Sequence, residues 1–241
     1  MRTRTAQRHP AFAVMILLGV LLAADRAFAV SLADLVNTHG TLTVGDAIFS
    51  NFQVDSFQVS GPAMPSSTSQ IDVTGFPFHP PATLTISSNF FAASFGPLSS
   101  SFSLTMTYDV SLTAPGQVFA GASLGWHVFS DILDHPVGAQ VHTVFSDLNG
   151  NQVLALSLSR NPDELHPPDS ADGTLLTPQT SLQVVTVIEL GGALGFSNIG
   201  QLSEVNETFV QRTIPEPATW LLLVSGLVAL LVGKRRLSRA R

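Results

Sequence analysis

The 241-residue chain contains no cysteine. That excludes disulfides, a thiol nucleophile, thiolate metal ligation and lipidation of an N-terminal cysteine. Cations are scarce as well. Of 11 Lys and Arg, four lie in residues 1–29 and five in the last eight positions, so residues 30–213 hold only Arg160 and Arg212. The same stretch holds 15 of the 17 acidic residues, giving it a net charge of −13 that the whole-chain value of −6 conceals. Such a surface repels phosphate backbones and excludes nucleic acid as a partner. It favours solubility and attracts divalent cations. A phosphate-cradling loop and a dinucleotide fingerprint are also missing, so no cofactor is expected. The chain shows no repeat of fixed period, which argues against a solenoid. Residues 30–213 must therefore rely on a hydrophobic core, and they are long enough for one single-core domain.

The two ends carry the most specific signals. Arg2, Arg4 and Arg8 precede an apolar run from Ala11 to Ala24, followed by "ADRAFAV". A basic start, a short apolar run and a small-x-small site make a secretory signal peptide over 1–29, with Ala27 and Ala29 at the cleavage positions. Arg2 and Arg4 do not form a twin-arginine pair, so the general secretion route is expected. At the other end, Ala218 to Val232 is uncharged and mostly apolar. At about 1.5 Å per residue the run spans about 22 Å, short of the roughly 30 Å hydrocarbon layer. Trp220 at one interface and snorkelling Lys234, Arg235 and Arg236 at the other extend its reach. The positive-inside rule then keeps the tail cytoplasmic and puts 30–213 outside. The predicted organisation is signal peptide 1–29, β domain 30–190, stalk or last strand 191–213, and a C-terminal unit 214–241. That unit comprises a motif at 215–217, a membrane helix over 218–233 and a basic tip.

The tail "PEPATWLLLVSGLVALLVGKRR" resembles the PEP-CTERM sorting signal of Gram-negative bacteria. The resemblance covers about the last tenth of the chain. It implies recognition by an exosortase, a membrane-embedded cysteine protease-like enzyme that processes the signal near Pro215, Glu216 and Pro217. Those three residues are then substrate residues, not catalytic ones. The resemblance also implies a membrane-anchored precursor at the inner membrane, a final place at the cell surface or outside the cell, and association with exopolysaccharide. A second stretch, "LTVGDAIFSNFQV", is similar to the start of many exported proteins with this tail; it supports the class and assigns no activity.

The body reads as strands. In "SFSLTMTYDVSL", Phe102, Leu104, Met106, Tyr108, Val110 and Leu112 alternate with polar residues, the pattern of a strand with one wet face. "AQVHTVFSDLNGNQVLALSLS" reads as a hairpin with a two-residue type I′ turn at Asn149-Gly150. "TLTV", "FQVDSFQVS", "ATLTISS", "GQVFAGAS" and "SLQVVTVIEL" add further strands, separated by Gly/Pro/Ser clusters. The expected fold is all-β, an antiparallel β-sandwich or jelly roll. Short helices are expected at Ser31–Val36 and Gly125–Asp134, and a surface loop over Arg160–Gln179.

Several patterns suggest chemistry. "GASLG" at 121–125 matches Gly-x-Ser-x-Gly and would make Ser123 a nucleophile if it sat on a strand-to-helix elbow. His127, Asp131, Asp134, His135 and His142 cluster in sequence; a helix over 125–134 would put His127 and Asp131 on one face. Asp147, Asn149 and Asn151 alternate oxygen ligands as a calcium loop does, but lack the distal Glu. Asn206-Glu207-Thr208 is a glycosylation-type sequon. Each has a plainer structural explanation, so neither a catalytic residue nor a metal site is expected. The expected function is a non-enzymatic exported surface or matrix protein. The alternatives are a carbohydrate-binding sandwich using exposed Trp126, Phe76 or Phe78, and a serine esterase built on Ser123.

Overall fold

The computed structural model describes residues 29–76, 81–94, 99–129, 138–160, 169–191, 198–214 and 225. Among these residues twelve strands, one short α-helix and a 3-10 turn (Thr68–Gln70) occur; in chain order the first are β1 (Ala29–Ser31), α1 (Leu32–Asn37), β2 (Leu42–Val44), β3 (Ala47–Ser60), β4 (Asp72–Phe76), β5 (Ala82–Ser94) and β6 (Ser101–Leu112). Then come β7 (Gln117–Phe129), β8 (Gly138–Ser146), β9 (Gln152–Arg160), β10 (Ser170–Gln179), β11 (Ser181–Gly191) and β12 (Asn198–Thr213). Helix α1 starts one residue after the expected position, because Ser31 is its N-cap and its side chain accepts from the Asp34 amide.

The strands form two six-stranded antiparallel sheets, ordered β1-β4-β5-β12-β7-β10 and β2-β3-β6-β11-β8-β9. The pairings nest: β5 with β12, β6 with β11, β7 with β10, β8 with β9. The chain from β5 onward is thus one long hairpin closed at β8–β9 and rolled so that alternate rungs fall in opposite sheets. That is a jelly roll. The first four strands extend its two sheets at one side. Strand β6 realises the predicted alternation: Phe102, Leu104, Met106, Tyr108 and Val110 are buried, with Leu112 half-buried. The core lies between the sheets, and Phe209 is its aromatic hub, in ring contact with Phe49, Phe119 and Phe145.

Three expectations are corrected. Residues 170–179 form β10 rather than a loop, paired with β7 along one flank. Its few apolar residues suffice because only Leu175 is fully inward, while Gly173 makes room for Leu154 and Leu156 on β9. Gly125–Phe129 belongs to β7, not to a helix, since β12 supplies its ladder partners. Residues 198–213, expected as stalk or last strand, form β12, which lies inside the first sheet between β5 and β7. Finally, the β8–β9 turn is a three-residue loop. Gly150 donates to the Asp147 carbonyl at 2.9 Å, Asp147 donates to Asn151 at 2.9 Å, and only Gly150 has a positive φ (81°). This is a type I turn followed by a left-handed glycine bulge; a separate register shift leaves Val153 as an extra residue between the pairs Phe145–Leu154 and Ser146–Gln152.

The "GDAIFSNF" stretch has a structural explanation. Gly45 (φ 58°) turns the two-residue β2–β3 hairpin. Phe49 and Phe52 enter the core. Asn51 (φ 55°) occupies a bulge in β3 and donates to Asp109 at 2.6 Å. The bulge lets Phe49 and Phe52, three residues apart, both face inward.

Candidate functional site

Two polar arrangements stand out against this apolar frame, one between the sheets and one on an outer face. The inner one centres on Glu207. Along β12 the inward positions are Leu202, Val205, Glu207 and Phe209, so a carboxyl group is carried into the core. It has no exposure. From the opposite sheet, Thr186 on β11 donates to Oε1 at 2.5 Å and Thr143 on β8 donates to the same oxygen at 2.9 Å. Tyr108 on β6 donates to Oε2 through a very short bond. Among the described residues no cation pairs with this carboxyl group. Burial pushes the Glu207 carboxyl above its usual range, while the bonds from Thr186, Tyr108 and Thr143 pull the other way. Burial also pushes the Tyr108 phenol well above its ordinary value, reinforced by Glu207. Tyr108 stacks on Phe52, ring centroids 5.4 Å apart and 24° between planes. The cluster ties three strands of one sheet to the central strand of the other. It is sealed from solvent, so its chemistry is structural.

The outer arrangement crosses the second sheet. Side chains alternate faces, so residues opposite one another in register form rows across the strands. One row runs Gln58, Ser103, Glu189, Gln140, Ser159 from β3 to β9, and all but half-buried Ser103 are exposed. The neighbouring row runs Ser60, Ser101, Gly191, Gly138. The two paired glycines leave the floor of this row bare. The result is a groove of about 460 Å³. Gln140, Glu189 and Arg160 line it together with serine hydroxyls.

The residues singled out in the sequence fall elsewhere. Ser123 sits in the middle of β7, opposite Asp172 and Thr208; a ladder-paired strand gives it no elbow. His127 follows on the same strand and faces Glu204, with Nε2 3.8 Å from Oε1. His142 lies on the other sheet, with Nδ1 2.6 Å from the Ser157 hydroxyl, so these two histidines do not converge. Among the described residues no group of three or more potential metal ligands comes together; Asp131, Asp134 and His135 lie outside them. The Asp147 carboxylate is taken up by its own turn, accepting from the Asn149 and Asn151 amides and the Asn151 side chain. The Asn151 bonds, first among these, hold its pKa below the usual value. Trp126 is buried, 4% exposed, and is a core residue rather than a binding aromatic. Phe76 is exposed at 40% and stands at the end of β4. Asn206 is committed to Thr85, which donates to its Oδ1 at 2.5 Å.

Phe78, Ala27, Pro215, Glu216, Pro217, Trp220, Lys234, Arg235 and Arg236 lie outside the described residues, whereas Ala29 opens β1. Among the described residues no helix is long and apolar enough to cross a membrane. The sequence reading missed Glu207 as a buried group. The signal was present: Val205 and Phe209 flank it at i−2 and i+2, which in a strand places all three on one face.

No protein-family model matches this chain, and no curated protein matches it. Among solved structures it is similar to TmCBM61 in complex with β-1,4-galactotriose, at 14% identity and a TM-score of 0.30, covering 66% of this chain and 89% of that one. It is also similar to the enzymatically active domain of tailspike protein 4 of bacteriophage CBA120, at 11% identity and a TM-score of 0.28. That match covers 65% of this chain and only 20% of the tailspike chain. A third likeness is to a DUF4465 family protein from Bacteroides caccae, at 10% identity and a TM-score of 0.22, covering 76% and 98%. None of these likenesses assigns a ligand or an activity here.

Proposed function

We propose that this is a non-enzymatic exported protein of the cell envelope or extracellular matrix, sorted by an exosortase and associated with exopolysaccharide. The observation that carries the reading is where the last core strand ends. Strand β12 finishes at Thr213, and Pro215 follows after one residue. Processing at Pro215–Pro217 therefore removes the apolar run and basic tip without cutting any strand of the jelly roll. Ser123, the nucleophile candidate of the sequence, lies in a paired ladder, which supports the non-enzymatic reading.

The test is the intact mass and location of the protein from its native host, with and without the sorting enzyme. The expected product lacks residues 1–29 and the segment beyond the Pro-Glu-Pro motif, and is found outside the cell only when the enzyme is present. A full-length tail in the membrane of both strains would make the C-terminus a plain anchor and sink the sorting reading. The second reading, a carbohydrate-binding sandwich, loses its expected Trp126 platform but gains the polar groove on the second sheet.

A further inference from the structure

We infer that the groove centred on Gly138 and Gly191 is a binding site for a neutral polysaccharide, lying across the strands on the outer face of the second sheet. The inference rests on the exopolysaccharide association proposed above and gives it a location. Three observations carry it. First, the groove has a gap in its side-chain cover. Gly191 and Gly138 are ladder partners, and a Cβ placed on Gly191 meets no heavy atom within 4 Å. Neither glycine has a positive φ, so the backbone does not require them. A β-branched residue would suit the strand better, and its absence leaves open space. Second, the walls carry the right groups. Ser101, Ser103 and Ser159 offer hydroxyls, Gln140 an amide and Glu189 a carboxylate. Together they donate and accept at many points, as a hydroxyl-dense ligand requires. Third, the polar row continues from β3 to β9, and five strands about 4.8 Å apart span about 19 Å. That length accommodates an extended chain of several sugars.

The same geometry disfavours a peptide. A peptide strand adds to a sheet edge, where backbone N–H and C=O groups are unpaired. Here the floor is the middle of a sheet, and those groups are already bonded to neighbouring strands. An anionic polysaccharide is disfavoured by the −13 charge of residues 30–213 and by Glu189 in the groove wall.

The experiment is affinity electrophoresis of the purified full chain through gels containing laminarin, galactan or dextran, with alginate as the anionic probe. At least one neutral polysaccharide is expected to retard it. Gly191→Ile should abolish the retardation: it fills the gap, suits a strand and offers no flat ring for a sugar to stack on. Its melting temperature should match the parent. Glu189→Ala and Gln140→Ala should each weaken retardation about tenfold. Ser123→Ala, on the other sheet, should leave it unchanged. No retardation by any neutral probe, retardation by alginate alone, or unaltered retardation of Gly191→Ile would each overturn the assignment. Binding to a peptide array that Gly191→Ile removes, without polysaccharide retardation, would give the groove to a protein partner and also overturn it. These results are independent of processing: normal sorting without retardation refutes the groove alone, and an unprocessed tail refutes sorting alone.

Discussion

Removing one oxygen atom from the core should measurably destabilise this protein. Tyr108→Phe keeps the buried ring, its stack on Phe52 and nearly all its volume. It deletes the hydroxyl that donates to Glu207 Oε2. The other donors, Thr186 and Thr143, both bond Oε1, so Oε2 is left without a donor in a region with no exposure. An orphaned buried acceptor costs about 1–3 kcal/mol, and each kcal/mol lowers Tm by about 2–4 °C in a domain of this size. The expected drop is therefore about 2–12 °C. Thr143→Val should cost less, because Thr186 still bonds Oε1 more closely. Glu207→Met alone leaves three hydroxyls facing an apolar side chain. Combined with Tyr108→Phe, it should cost less than the sum of the two single changes, with a coupling of about 1–3 kcal/mol. Thermal unfolding followed by circular dichroism measures all four variants. A Tyr108→Phe protein melting within a degree of the parent, or strict additivity in the double variant, would show that the cluster does not act as a unit.

The remaining predictions concern pH and one turn. Because folding raises the Glu207 pKa, its contribution to stability is fully present below the unfolded value near 4.5 and is lost as pH rises through the folded value. Denaturant midpoints measured from pH 4 upward should show this decline in the parent and not in Glu207→Gln. Tyr108 is the only tyrosine, and folding raises its pKa too, so stability should also fall above pH 10. Phenolate absorbance near 295 nm should then appear only as the protein unfolds; titration in the folded state would contradict its burial. Gly150→Ala should cost about 1 kcal/mol in a melting experiment. A Cβ there meets nothing within 4 Å, so the whole cost comes from the positive φ; Gly191, equally uncrowded but without that φ, should tolerate alanine freely.

What could be read from the sequence depended on whether a strand's inward face is apolar. Strand β6 announces itself because every inward position from Phe102 to Val110 is apolar and every outward one polar. The β8–β9 hairpin was legible for the same reason, but its turn was misread. Asn-Gly fits a two-residue type I′ turn equally well, and only Asp147, which accepts from Asn149 and Asn151, closes the longer loop. Strand β10 is hidden in the sequence, and β12 reads as stalk or strand, through features that serve packing. Gly173 vacates an inward position so that Leu154 and Leu156 fit against it, which erases the period of two. In β12 the irregularity between Leu202 and Glu204 shifts the phase, and Glu207 then puts a charge-bearing residue where the pattern demands an apolar one. A local window cannot recover such a residue, because its partners lie 99, 64 and 21 positions away. The groove is hidden differently. Its row from Gln58 to Ser159 draws one residue from each of five strands, so it exists only after the hairpin has rolled up. The nested pairing that brings β6 beside β11 and β8 beside β9 creates the outer groove and also aims Tyr108, Thr143 and Thr186 at one carboxyl group. The three hydroxyl donors to Glu207 and the groove row therefore sit on opposite faces of the same three strands, β6, β8 and β11. Substitutions at Glu189 or Gln140 change only the outer face. Substitutions at Tyr108 or Thr186 should lower stability without altering polysaccharide retardation at temperatures where the protein remains folded.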